Sequence, residues 1–267
     1  MGEITGPFRF TGSLGNFRSY YNSAAKKWVL ATKGGATRDL IFNHPAFARQ
    51  RENMTEFGAC GKWSHLIRMS LYDLDELNSG FYMGGITKLA KVIQTKDREG
   101  KKGHRSIISS KYKNLLTSIN FNDTYPFRQI VCRVPEVVSD DVRQTVIINM
   151  PHFSPFSELN WGKRYFFYRF TLTIGQLSDY IWVEAQNNFE PAHENLEDTR
   201  ISVRTEWLSN NTDFTDISLI ASFKDEAIPA DDVTVLVALG IEFASKLGDS
   251  TLSATSGDGT MALVACL

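Results

Sequence analysis

The chain has 267 residues, of which 42% are hydrophobic and 12% aromatic, with 29 basic and 30 acidic side chains. A chain of this length and composition buries a large core, which excludes disordered and collagen-like proteins. No run reaches the roughly 18 apolar residues that would span a bilayer, and no apolar signal core follows the first residues. We expect a globular protein without a membrane span, either cytoplasmic or part of an assembled particle.

Charge is distributed unevenly along the chain. Residues 1–113 contain 19 basic and 9 acidic residues, a net charge of +10, whereas residues 114–267 contain 10 and 21, a net charge of −11. A basic half is typical of a protein that binds phosphates in nucleic acid. Opposite halves can equally attract each other, within one subunit or between neighbouring copies. An ordinary solvated surface is the third interpretation, and composition does not choose among them.

The first segment is predicted to be extended. Aromatic or β-branched runs at 8–10, 17–21 and 28–32 are separated by Gly12, Gly15 and the polar residues around Asn22, which indicates a β-hairpin with a leading edge strand. An edge strand exposes unpaired backbone groups, so it must pair with its own domain or with a neighbour. The candidate contact residues here are aromatic: Phe8, Phe10, Tyr20 and Trp28.

Two amphipathic helices are predicted next. Pro45 suits a first helical turn, and apolar residues then recur every three or four positions at Met54, Phe57, Cys60, Trp63, Ile67, Leu71 and Leu74. After a break at 78–80, a second stripe consists of Tyr82, Ile86, Leu89 and Ile93. Helices joined by a short turn should pack antiparallel. The segment 96–113 is polar and rich in glycine, and it predicts an exposed loop that proteases would cut first.

The remainder has the two-residue period of β-strands. Short runs occur at 146–148, 165–174, 180–183, 201–203, 217–223, 233–243 and 261–267, and strands without intervening helices indicate an antiparallel sandwich. The run 233–241 is apolar on both faces and should be a central strand. The predicted fold is therefore α+β, with an N-terminal β-hairpin or extended arm (1–43), a basic antiparallel helical pair (44–117) and an acidic antiparallel β-sandwich (118–267).

The sequence yields no catalytic, cofactor-binding or metal motif. Residues 248–250 read Gly-Asp-Ser, but no histidine follows His193 to activate that serine. Asp73, Asp75 and Glu76 lack the alternation and the glycine of a calcium loop. The phosphate-binding glycine loops are also absent from the sequence. Three cysteines far apart, Cys60, Cys132 and Cys266, cannot form a complete disulfide framework and predict free thiols in a reducing compartment.

Several patches together resemble a known family. They are the motif of Gly12, Leu14, Gly15, Asn16 and Tyr20, the run 33–35 (Lys-Gly-Gly), the segments 45–49 and 51–58, and Gly-Ile-Glu-Phe at 240–243. With these the chain resembles an uncharacterised family of Bacteroidota proteins that has no assigned activity. The resemblance reaches both ends of the chain and implies a bacterial or bacteriophage-associated protein. It transfers no functional residues.

The function expected from these patterns is assembly. Unlike charged halves, a pairable N-terminal strand and the lack of a catalytic constellation predict a non-enzymatic structural protein, which joins copies of itself into an oligomer, filament, tube or shell. Arg49 and Arg51 are candidate docking residues. The alternative is a nucleic-acid-binding accessory protein that uses Lys88, Lys91 and Arg98. A third possibility is a ligand-binding sandwich with an aromatic platform formed by Trp161, Tyr165, Trp182 or Trp207.

Overall fold

The structure is a computed structural model that describes residues 2–3, 6, 9–23, 25–78, 82–224, 227–247, 251–253 and 258–267. The chain divides into two compact units, Met1–Arg51 and Glu52–Leu267. Most of the predicted helical segment and all of the predicted sandwich therefore belong to the second unit. No helix within these described ranges is long and apolar enough to cross a membrane.

The secondary structure is mixed. The strands are β1 Gly2–Glu3, β2 Gly12–Leu14, β3 Phe17–Asn22, β4 Lys27–Thr32, β5 Glu136–Ser139, β6 Thr145–Phe153, β7 Phe167–Leu177, β8 Tyr180–Val183, β9 Asn188–Pro191, β10 Ile201–Arg204, β11 Leu208–Ser209, β12 Thr215–Ser222, β13 Thr234–Leu247, β14 Thr251–Ser253 and β15 Gly259–Cys266. The α-helices are α1 Arg38–Asn43, α2 Ala48–Ser70, α3 Tyr82–Gln94, α4 Lys113–Leu116, α5 Phe127–Ile130 and α6 Pro155–Glu158. Short 3-10 turns occur at Pro45–Phe47, Tyr72–Leu77, Ser109–Lys111 and Leu196–Thr199. The α+β class predicted from the sequence is confirmed.

The first unit is built on an antiparallel sheet in the order β1-β4-β3-β2. The hairpin of β3 and β4 is the one predicted from its aromatic runs. The leading strand differs from the prediction, because Arg9 and Phe10 lie outside any strand and the partner of β3 is β2. Gly15 allows the tight β2–β3 turn, since its φ of +56° is a conformation that suits glycine.

Helices α2 and α3 pack antiparallel, as the sequence predicted. Glu56 near the start of α2 contacts Lys91 near the end of α3, whereas Ser64, further along α2, contacts Thr87. Cys60, Trp63 and Ile67 are fully buried. Leu71 and Leu74, which follow the helix, are also buried, whereas the first two members of the predicted stripe are not.

Met54 and Phe57 are 46% and 62% exposed, contrary to the prediction that they share the buried face. The reason is geometric. An α-helix has 3.6 residues per turn, so successive three-residue steps rotate backwards, and Met54 lies about 180° round the helix from Trp63. Glu56 occupies the buried face instead and is only 1% exposed.

Two sheets form the sandwich of the second unit. The large sheet has the order β10-β7-β13-β14, with β11 also paired to β7 and β15 to β13. The small sheet has the order β12-β6-β5. Each run predicted as a strand corresponds to a strand of the structure, while the short strands β5, β9 and β11 were not predicted.

The large sheet is buried on both faces, and β13 illustrates why. Val235, Val237 and Leu239 join a core with the apolar residues of the small sheet. Leu236 and Ala238 alternate with them and join a second core with α2 and α3. Successive side chains of a strand point to opposite faces, so this continuous apolar run forms the middle of three layers and confirms the predicted central strand.

The helices approach the large sheet closely at Gly175. A Cβ atom there would lie 2.4 Å from the backbone oxygen of Ser70, at the end of α2. The Ser70 hydroxyl donates a hydrogen bond to the backbone oxygen of Gln176 at 2.8 Å. Glycine therefore allows the end of α2 to rest directly on β7, which sets the position of the segment that follows the helix.

Candidate functional site

One face of the N-terminal sheet is apolar. Residues directly opposite each other on antiparallel strands share a face, and the register pairs Leu14 with Phe17 and Tyr21 with Trp28. Leu30 lies opposite Ser19 and belongs to the same face. We call Leu14, Phe17, Tyr21, Trp28 and Leu30 the apolar face. It exposes 71% of Leu14 and 49% of both Phe17 and Tyr21.

The other face of this sheet is better covered. Tyr20 lies opposite Val29, and Val29 and Ala31 are 4% and 8% exposed. Among the described residues of the first unit, these two and Ser19 are the ones that count as buried. The unit thus buries few side chains while it exposes large apolar ones, which is typical of a surface that binds another molecule.

The aromatic residues singled out in the sequence do not form one site. Trp28 belongs to the apolar face and packs against Tyr21, with ring centroids 5.6 Å apart. Tyr20 lies on the opposite face, where the Arg18 guanidinium is 5.7 Å from its ring. Phe10 is 38% exposed and precedes β2, and Phe8 lies outside the described residues. Phe17 and Tyr21 belong to the apolar face but are not among the candidate contact residues chosen from the sequence. The two-residue alternation along 17–21 is the sequence signal that could have identified them.

The predicted arginines differ in their roles. Arg49 is exposed. Arg51 donates hydrogen bonds to the backbone oxygens of Ile41 at 2.7 Å and His44 at 3.0 Å, so it closes the turn between α1 and α2. Arg51 therefore has a structural role within the first unit.

A buried ion cluster lies at the start of the second unit. Glu56 accepts hydrogen bonds from Arg105 at 2.7 and 2.6 Å, from Lys91, and from the backbone N–H of Gly103 at 2.8 Å. Burial by itself raises the pKa of Glu56, but these donors outweigh it and lower the pKa from 4.5 to about 2. Gln94 ties the cluster to both segments by donating to the backbone oxygens of Glu56 and Arg105.

This cluster changes the interpretation of two sequence features. Lys91 is directed into the ion cluster, so of the three residues proposed for nucleic acid only Lys88 and Arg98 are exposed. The loop after α3 is also not simply exposed, because Gly103 is buried against the side chain of Glu52 and Arg105 is half-buried. Polar residues can be buried when each finds a partner, which composition alone does not reveal.

A cleft of about 730 Å³ opens between this loop and strand β8. Its lining consists of Ile93, Thr95, Lys96, Asp97, Arg98, Glu99, Gly100, Lys101, His104, Ser106, Ile108, Lys111, Tyr112, Trp182 and Glu184. The loop pairs with the strand through two backbone hydrogen bonds between Ile107 and Tyr180, at 2.8 and 3.0 Å. Both walls therefore belong to one hydrogen-bonded framework.

Asp97 holds the shape of the loop. Its carboxylate accepts hydrogen bonds from the backbone N–H groups of Glu99, Gly100 and Ser106 at 2.9, 3.0 and 2.7 Å. Burial raises the pKa of Asp97, but these donors have the larger combined effect and lower it. A carboxylate committed to three backbone donors is a structural group of the cleft.

The aromatic platform suggested by the sequence is confined to Trp182. Trp161 stacks on Phe243 within the sandwich core, with centroids 4.4 Å apart, and Tyr165 packs on the same ring. The ring of Trp207 is covered by the Arg169 guanidinium at 4.5 Å. Trp182 lines the cleft, where the His104 ring stacks on it at 3.7 Å.

Two of the three acidic residues at 73–76, Asp73 and Asp75, are engaged in protein contacts. Asp75 accepts hydrogen bonds from Arg68 and from the Tyr82 hydroxyl, and Asp73 accepts one from Ser202. Within the described ranges, no group of three or more histidine, cysteine, aspartate or glutamate residues is placed to hold a metal ion. The Gly-Asp-Ser sequence at 248–250 lies outside those ranges.

Comparison with known proteins identifies no relative of this chain. No family model matches the chain, and no curated protein and no solved structure is significantly similar to it.

Proposed function

We propose that this chain is a non-enzymatic structural protein that assembles with copies of itself through its N-terminal sheet. The observation that carries the proposal is the apolar face, on which Leu14, Phe17 and Tyr21 remain about half exposed or more. Covering such a face releases roughly 25 cal/mol for each Å² of apolar surface removed from water. A second copy of the chain is the partner that is always present at the same concentration.

The open edges of the sheet support the same proposal. In the order β1-β4-β3-β2, strands β1 and β2 each have one side without a strand partner among the described residues. A strand from a neighbour can add to such an edge, with main-chain hydrogen bonds providing affinity and side-chain pockets providing specificity. Leu14, the most exposed member of the apolar face, lies on the edge strand β2.

Charge gives the assembly a direction. The first unit has eight basic and two acidic residues, a net charge of +6, and the second unit accounts for the remaining −7. Opposite charges favour contact between the first unit of one copy and the second unit of the next. A contact between two different surfaces repeats from copy to copy, and it produces a ring if the rotation closes and a filament if it does not.

The test is sedimentation velocity combined with negative-stain microscopy, at low and high salt. We expect particles larger than a monomer that shrink as salt screens the charges. Leu14→Asp should shift the distribution to monomers. The matched control is Val134→Asp, which places the same charge on an apolar residue that is 84% exposed in the second unit. A monomer at every concentration and salt, or equal effects of the two variants, would refute the proposal.

A further inference from the structure

The cleft between the 96–112 loop and β8 combines aromatic rings with unpaired cations. The His104 and Trp182 rings lie 3.7 Å apart and within 9° of parallel. The Lys96 ammonium group lies 5.2 Å from the centre of the Tyr112 ring. These rings line the cleft together with the apolar side chains of Ile93 and Ile108. The lining therefore combines charge with aromatic rings, and His104 already covers one face of the Trp182 ring.

Four cations surround this surface: Lys96, Arg98, Lys101 and Lys111. All four are exposed, and none forms an ion pair with a carboxylate in the part of the chain that the structure describes. Other cations of the same unit, such as Arg105 and Arg169, are paired with glutamates. The cleft is thus a place where positive charge is left available.

The acidic residues of the lining cancel this charge only in part. Asp97 is committed to three backbone donors of the loop, as described above. Glu184 has a side chain that is 75% exposed and lies 3.8 Å from His104 Nδ1. With Glu99 as the third carboxylate of the lining, the cations outnumber the acids by four to three. The backbone donors fix the position of the Asp97 carboxylate but leave its charge in place, so the lining has a net charge of +1.

The walls are also fixed before any ligand binds. Arg105 and Gly103 tie the loop to Glu56 on α2, and Ile107 ties it to β8. Ser109 and Ser110 both donate to the buried carboxylate of Asp179. A site held in this way loses little conformational freedom on binding, which favours affinity.

We propose that this cleft binds a small anionic ligand that has a planar ring, the chemistry of a nucleoside phosphate. The cations provide contacts for phosphate oxygens, and the aromatic lining provides a surface on which a planar ring can stack. The volume of about 730 Å³ is in the range of small-molecule sites. This site lies wholly in the second unit and does not depend on the proposed assembly.

The test is calorimetric titration of the full chain at low salt with ATP, tripolyphosphate and adenosine. We expect ATP to bind about tenfold or more tightly than either of the other two, which corresponds to at least about 1.4 kcal/mol. Arg98→Glu and Lys111→Glu should each weaken ATP binding about tenfold. Lys62→Glu makes the same kind of change at an exposed position on α2, outside the cleft, and should leave the affinity unchanged.

Three results would overturn the proposal. Absence of ATP binding would show that the cleft does not bind nucleoside phosphates. Equal affinity for ATP and tripolyphosphate would show that the cleft does not recognise a planar ring. A short single-stranded oligonucleotide that binds more tightly than ATP, and whose binding Lys88→Glu weakens as much as Arg98→Glu does, would assign the surface to nucleic acid. Because the two cleft substitutions are at exposed positions, far-ultraviolet circular dichroism should show folded protein in each case.

Discussion

Glu56→Gln tests whether the buried ion cluster stabilises the second unit. The substitution keeps the shape of the side chain and removes its charge, so Lys91 and Arg105 lose their shared anion. Their side chains are 33% and 20% exposed, and water compensates only in part. The pKa of Glu56 is lowered from 4.5 to about 2, and at about 1.4 kcal/mol per pH unit this corresponds to about 3 kcal/mol. We expect Glu56→Gln to lower the free energy of unfolding by about that amount at neutral pH.

The pH dependence has a definite sign. A carboxylate whose pKa is lower in the folded state stabilises the fold above its unfolded pKa, and this contribution declines as pH falls towards the folded pKa. The stability difference between the wild type and Glu56→Gln should therefore be constant above about pH 5.5 and should shrink between pH 4.5 and about 2.

The assay is urea unfolding at a series of pH values, followed by circular dichroism. Glu76→Gln is the matched control, because Glu76 is exposed and the same charge is removed. We expect this control to change stability by less than about 0.5 kcal/mol. A Glu56→Gln protein as stable as the wild type, or a difference that does not shrink in acid, would refute the assignment of Glu56 as the anion that holds the loop.

Two further predictions concern packing and thiols. Gly175→Ala should lower the free energy of unfolding by about 2 kcal/mol or more, since its Cβ would lie 2.4 Å from a backbone oxygen. Gly61 lies on the exposed side of α2 with open space around it. Gly61→Ala should therefore raise the free energy of unfolding by about 0.5–1 kcal/mol. Urea unfolding measures both, and similar effects of the two substitutions would contradict the close packing. In a thiol-labelling experiment on native protein, only the exposed Cys132 should react quickly, because burial raises the pKa of Cys60 to about 11 and of Cys266 to about 12. Rapid labelling of a second thiol in native protein would be inconsistent with this burial.

The strand pattern of this protein is encoded locally. The continuous apolar run along β13 predicts a strand that is apolar on both faces, and the structure places that strand in the middle of three layers. A two-residue period depends only on the geometry of a single strand, which explains why the longer strands and the α+β class can be predicted without knowledge of their partners. The same holds for α3, where Tyr82, Ile86 and Ile93 are buried as expected.

The buried ions and the cleft depend on residues far apart in the sequence. Glu56 meets Arg105 across 49 positions, and neither residue differs in the sequence from an ordinary surface charge. Trp182 and His104 stack next to the point where Ile107 pairs with Tyr180, a contact between segments far apart in the sequence.

The sequence by itself therefore determined the class of fold, the hairpin, the helical pair and the strands, because these follow from short-range periodicity. Tertiary structure decided which side of α2 is buried, which cations are paired and where the cleft opens. These properties arise from contacts between segments, and their energies depend on burial and on partners that no local pattern specifies.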